Sequence, residues 1–149
     1  MPSRFPHGRF AYEIIPEDDP ARKGGYVYRL TENFSIDVPI AWEKPEPYGG
    51  KFLSIESIGG GWSRITALVG YCWDGPSGPT LDTADFILPS LPHDEVYQFF
   101  REGVLDRKRW RSVADMILRE LSAEQGMGFC RRWIDWAGVR VFAGGAAKK

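Results

Sequence analysis

The chain is poor in the residues that build most metal and disulfide sites. Of its 149 residues only two are cysteine, Cys72 and Cys130, and only two are histidine, His7 and His93. Two cysteines are too few for a disulfide-stapled scaffold, and their spacing fits no zinc pattern. They read as free thiols behaving as small apolar residues, with a single Cys72–Cys130 bridge as the alternative. Charge of one sign is also lacking: 19 basic against 20 acidic side chains leave a formal charge of −1. A general affinity for nucleic-acid backbones, which needs a basic excess, is not expected. No apolar run approaches the roughly 20 residues that span a bilayer, and the segment Met1–His7 has no apolar signal core. The expectation is a soluble protein made in the cytoplasm.

Aromatics are what the chain has in quantity, 14% of its residues, enough to argue for a packed core. Residues 1–149 read as one domain with two patterns. Residues 1–70 are mostly β. Phe10–Ile15, Tyr26–Leu30, Phe34–Val38, Phe52–Ile58 and Ser63–Val69 are short runs rich in β-branched and aromatic residues, separated by turn signals at Pro16–Pro20, Lys23–Gly25, Thr31–Asn33, Pro45–Gly50 and Gly59–Gly61. Phe34-Ser-Ile-Asp-Val38 alternates cleanly, as in an antiparallel sheet covered on one face. The three-residue connection Thr31–Asn33 suggests a hairpin. Residues 71–92 read as a long loop, since Asp74-Gly-Pro-Ser-Gly-Pro79 carries two prolines and two glycines.

Residues 93–143 read as three helices. The first runs from Pro92 or His93 to about Glu102. The second runs from about Arg107 to Glu124, with Trp110, Val113, Ala114, Ile117, Leu118 and Leu121 on one stripe. The third, about Phe129 to Phe142, places Cys130, Trp133, Ile134, Ala137 and Val141 on a shared face. Residues 144–149 read as a flexible tail. Strands first and helices second define an α+β fold: an N-terminal antiparallel sheet, a Gly/Pro loop and a three-helix C-terminal part.

One constellation looks built for chemistry. His93 and Tyr97 are i and i+4 on a helix and share a face, while Asp94 is rotated by about 100°. If the next helix packs antiparallel, Asp115 reaches the His93 imidazole. A carboxylate on one imidazole nitrogen fixes the tautomer and leaves the other nitrogen as a general base for water. Asp94, with carbonyls of the Trp73–Gly78 loop, offers hard oxygens of the kind Ca²⁺ takes. A second reading fits the same spacing. Pro, His, Asp and Glu are ordinary residues for a helix start, and Asp115 has Arg111 and Arg119 at i−4 and i+4 as partners on a wet face. A His-Asp metal phosphohydrolase would need more histidines ahead of His93 than His7 alone. Cys72 beside the loop as a nucleophile for His93 rests on no motif. The basic run Arg107-Lys-Arg-Trp-Arg111 reads as a solvated helix face, with lipid headgroups or an acidic partner as the functional alternative.

Two resemblances gather these residues. Asp74-Gly-Pro-Ser-Gly-Pro79, His93-Asp-Glu-Val-Tyr97, Ala114-Asp115 and Val139-Arg-Val-Phe-Ala-Gly144 together resemble a family of small phage and prophage proteins of unknown function. That likeness covers about half the chain. It implies a protein made in the host cytoplasm and associated with the virion, with a virion or host-envelope component as partner. More locally, Tyr71-Cys-Trp-Asp-Gly75, Gly78, His93-Asp-x-x-Tyr97 and Asp115 resemble the calcium loop and catalytic helices of phospholipase A2. This second likeness implies a hydrolase of lipid or other esters: His93 activates water, Tyr97 and Asp115 hold it, and Asp94 binds calcium with carbonyls of Trp73, Gly75 and Ser77. The non-enzymatic alternative is a virion structural or assembly protein that keeps the scaffold for binding.

Overall fold

The computed structural model describes residues 10–74 and 84–124, with side chains from residue 87 to residue 122 in the second stretch. The chain divides after Asp74 into two compact units. The first holds β1 (Tyr12–Ile14), α1 (Pro20–Lys23), β2 (Tyr28–Leu30), β3 (Phe34–Val38), β4 (Tyr48–Gly49), β5 (Leu53–Gly59), β6 (Trp62–Ala67) and β7 (Cys72–Trp73). The second holds α2 (Ala84–Arg101) and α3 (Arg107–Glu124). The α+β order expected from the sequence is therefore present, with antiparallel strands first and two long helices after. The third C-terminal helix, residues 129–142, lies outside the described residues.

The strands form two antiparallel sheets, β1-β2-β7 and β3-β6-β5-β4. Alternation decides which side chains go inward. Phe34, Ile36, Ile55, Ile65 and Ala67 are all 1% exposed or less, while Ser35 and Thr66 pair their hydroxyls at 2.8 Å in register between them. Asp37 is buried on β3 but faces Arg64 across the ladder, whose Nε and second guanidinium nitrogen donate to its two oxygens at 2.8 and 3.2 Å. Phe10 connects the two sheets, with its ring 5.4 Å from Phe34 and 6.2 Å from Trp73. The Gly59–Gly61 turn between β5 and β6 carries three consecutive positive φ angles, 91°, 65° and 81°. A run of that kind suits glycine.

Several expectations are corrected. Thr31–Asn33 is not a hairpin: both edges of β2 are already taken, by β1 and β7, and β3 starts the other sheet. Asn33 instead accepts the Val69 N–H at 2.8 Å. The turn expected at Pro16–Pro20 is present, closed by Asp19 N–H to the Pro16 carbonyl at 3.0 Å, and leads into α1, with Asp19 as N-cap accepting from Ala21 N at 2.9 Å and Pro20 in the first turn. The Pro45–Gly50 turn contains β4. The loop expected over 71–92 is shorter at both ends, since Cys72–Trp73 pairs with β2 and α2 begins at Ala84.

That early start of α2 is the largest correction. Pro89 and Pro92 lie inside the helix, where each lacks an N–H and costs about 3 kcal/mol. The helix continues through them because it is buried there: Leu91 is 0% exposed and Ile87 8%. Ser90 Oγ also donates to the Ile87 carbonyl at 2.6 Å. α2 ends at Arg101, and the chain turns at Gly103, φ 72°, where Val104 N–H returns to the Phe99 carbonyl at 2.8 Å. Three residues on, Asp106 caps α3 by accepting from Lys108 N at 2.9 Å. This short connection folds α3 back along α2 as a helical hairpin. α3 spans Arg107–Glu124, the limits its apolar stripe predicts, and buries Ala114, Ile117, Leu118 and Leu121.

Candidate active site

The helical hairpin brings His93, Tyr97 and Asp115 together. His93 Nε2 lies 2.8 Å from Asp115 Oδ1, and the Tyr97 hydroxyl donates to the same oxygen at 2.8 Å. The His93 and Tyr97 rings sit one helical turn apart with centroids 4.2 Å from each other. Asp115 is 0% exposed, so the reading that set it on a wet face is overturned. His93 and Tyr97 are buried as well, at 3% and 2%.

A carboxylate on Nε2 is best served when that nitrogen carries the proton, which leaves the lone pair of a neutral imidazole on Nδ1. Nδ1 faces Asp94, whose Oδ1 is 3.7 Å away. Burial alone would lower the His93 pKa, but the hydrogen bonds and charges of Asp115 and Asp94 outweigh it and raise it above the ordinary value. Both carboxylates thus favour the imidazolium. For Tyr97, burial and the Asp115 charge push the phenol pKa up, and Arg111 pulls against that rise. Tyr97 therefore acts as a neutral donor.

Two further residues belong to these surroundings: Arg111, read in the sequence only as a surface partner of Asp115, and Glu95, which the sequence did not single out. Arg111 is one turn before Asp115 on α3, with Nε 3.9 Å from Asp115 Oδ2. Its i−4 spacing suggested a surface pair, whereas it turns toward a wholly buried carboxylate. Glu95 is 0% exposed, and among the described residues neither of its carboxyl oxygens has a hydrogen-bond partner. Burial, reinforced by Asp94, holds its pKa well above the ordinary carboxylate value. The available signal was its place between Leu91 and Phe99 at i±4, both 0% exposed, on an apolar face.

The calcium donors expected from the sequence are spread over different parts of the chain. Gly75 and Ser77 lie outside the described residues. Trp73 belongs to the first unit, where its carbonyl accepts the Val27 N–H at 3.1 Å, and Asp94 belongs to the second. Among the described residues no three His, Cys, Asp or Glu side chains converge as metal ligands. Cys72 is a free, half-buried thiol whose pKa burial raises, which does not favour a thiolate nucleophile; Cys130 lies outside the described residues. No helix among those residues is long and apolar enough to cross a membrane. Compared with protein-family models, with curated proteins and with solved structures, the chain matches none.

Proposed function

We propose that the helical hairpin carries a hydrolase site of phospholipase A2 type, with His93 as general base and Asp115 as its orienter, acting on an ester substrate. The observation that carries this is the 2.8 Å contact of His93 Nε2 with a fully buried Asp115, which leaves Nδ1 as the basic atom. In the reaction, Nδ1 takes a proton from water as its oxygen bonds to the ester carbonyl carbon. The imidazolium then returns that proton to the departing alcohol as the C–O bond breaks. Asp115 and Asp94 stabilise the imidazolium between the two steps, and the Tyr97 hydroxyl keeps Asp115 in place. Calcium enters this reading as an expected cofactor, with Asp94 as the described carboxylate available to it, and no step above runs through it. The resemblance of the chain's ordered motifs to those of small phage proteins is the ground for a lipid or other ester as substrate and a virion or host-envelope component as partner.

Burial favours a second reading. Three polar side chains sealed to 3% exposure or less also suit a non-catalytic virion or assembly protein, in which the triad fixes the pairing of α2 with α3. Turnover of phospholipid and simple esters separates the two, measured with added Ca²⁺ and with a chelator, for the unaltered protein and for His93→Ala. The hydrolase reading expects a loss of about 10²-fold or more in His93→Ala. Equal turnover by the two proteins removes it, and equal rates with Ca²⁺ and chelator remove calcium.

A further inference from the structure

Resting on that reading, we propose that Arg111 is the positioning residue of the dyad. Its guanidinium, with Nε 3.9 Å from Asp115 Oδ2, holds the carboxylate plane so that Oδ1 is the oxygen His93 and Tyr97 share. The geometry poses the problem that Arg111 solves. An aspartate carboxylate turns about a broad two-fold torsion. Here the contacts from His93 and Tyr97, at 2.8 Å each, fall on the same oxygen. The other oxygen, Oδ2, is the one that faces Arg111 Nε at 3.9 Å. A cation on the Oδ2 side fixes which way the carboxylate is turned, and so where the imidazole sits.

The side chain is suited to that task. Arg111 is 23% exposed at its side chain while Asp115 is 0% exposed, so the cation is not wholly withdrawn from water. That limits the desolvation cost of placing a cation beside Asp115. The planar fork of arginine carries direction, which a lysine ammonium does not. Its neighbours on α3 are engaged differently: Lys108 and Arg109 are exposed, and Arg109 lies 4.7 Å over the Trp110 ring. The basic run thus divides, with Arg111 belonging to the site and Lys108 and Arg109 to the surface.

The test combines a spectroscopic readout with kinetics, on the full chain. The proton between His93 Nε2 and Asp115 is followed by ¹H NMR, assigned by its loss in His93→Gln. In Arg111→Gln that resonance is expected to shift or broaden while the helical circular dichroism is retained. Turnover of the ester substrate is expected to show kcat reduced about tenfold to a hundredfold with KM little changed, as for a misplaced catalytic group, and partial recovery in Arg111→Lys. A folded Arg111→Gln with unmoved resonance overturns the inference. Where Arg111→Gln does not fold, Arg111→Met decides: it keeps the apolar stem and loses the cation, so a displaced resonance supports the assignment and an unmoved one overturns it. If the unaltered protein turns over no ester, the hydrolase reading has failed, and the resonance by itself still decides the role of Arg111.

Discussion

Asp115→Ala is the substitution for which the structure supplies the clearest magnitude. It removes an acceptor and strands two donors, His93 Nε2–H and the Tyr97 hydroxyl, both 2.8 Å from the lost oxygen and both 3% exposed or less. Each stranded donor costs about 1–3 kcal/mol, because no water replaces the bond. Breaking a buried charged pair by deleting one partner costs about 3–5 kcal/mol overall. Against a typical total of about 5–15 kcal/mol this is a large fraction. With a urea slope of about 2 kcal/mol per molar, the midpoint is expected to fall by about 2 M. Tyr97→Phe removes one donor without stranding the carboxylate and is expected to cost about 1 kcal/mol. Urea titration followed by helical circular dichroism tests both. A cycle of His93→Ala with Asp115→Ala should be non-additive, since the two share the contact. An Asp115→Ala midpoint within about 0.5 M of the unaltered protein, together with additive energies, refutes the reasoning.

Glu95 and His93 give two pH dependences of known sign. The Glu95 pKa is raised above its ordinary 4.5 in the folded state, so its contribution is fully present below the unfolded value and erodes as pH rises toward the folded one. Glu95→Gln is expected to flatten that part of the stability profile, and Glu95→Leu to stabilise the protein at neutral pH, both read by thermal melts from pH 4 to pH 8. The His93 pKa is raised above 6.5, so its contribution is full below the unfolded value and is lost as pH rises through the folded one. Asp115→Asn should lower the His93 midpoint in an NMR titration, and an unmoved or raised midpoint contradicts the pairing. Gly103→Ala is expected to cost about 1 kcal/mol, because φ is 72° and a Cβ there meets nothing within 4 Å, leaving backbone strain as the sole term. An unchanged melting temperature would show that the α2 terminus rearranges freely.

The strands of the first unit were legible wherever alternation was clean. Phe34–Val38 is found at its expected limits, since a period of two is specific to a half-buried strand. Pairing was less legible. The Thr31–Asn33 connection has hairpin length, yet β2 prefers β1 and β7, a choice made by contacts far apart in sequence. The start of α2 was hidden by Pro89 and Pro92, because their local penalty is visible in sequence while the burial of Ile87 and Leu91 that offsets it is not. Within the site, the His93–Asp115 contact was legible from i, i+4 spacing and a helix stripe. The inward turn of Arg111 was not, since an i−4 arginine looks the same in sequence whether its carboxylate is wet or dry.

Burial by itself does not mark the functional carboxylate in this hairpin. Glu95 and Asp115 are both 0% exposed. Glu95 has no hydrogen-bond partner among the described residues, and its raised pKa favours the protonated, neutral form. A neutral carboxyl cannot stabilise an imidazolium or fix a tautomer by charge. Asp115 is met by His93, by Tyr97 and, at 3.9 Å, by Arg111. Two donors and a cation favour the charged form in a dry interior. That charge is what makes Nδ1 of His93 basic, so the functional reading depends on the partners of Asp115 rather than on its depth. Converting one partner into an apolar isostere, as Tyr97→Phe does, should therefore shift the His93 titration even where stability changes by only about 1 kcal/mol.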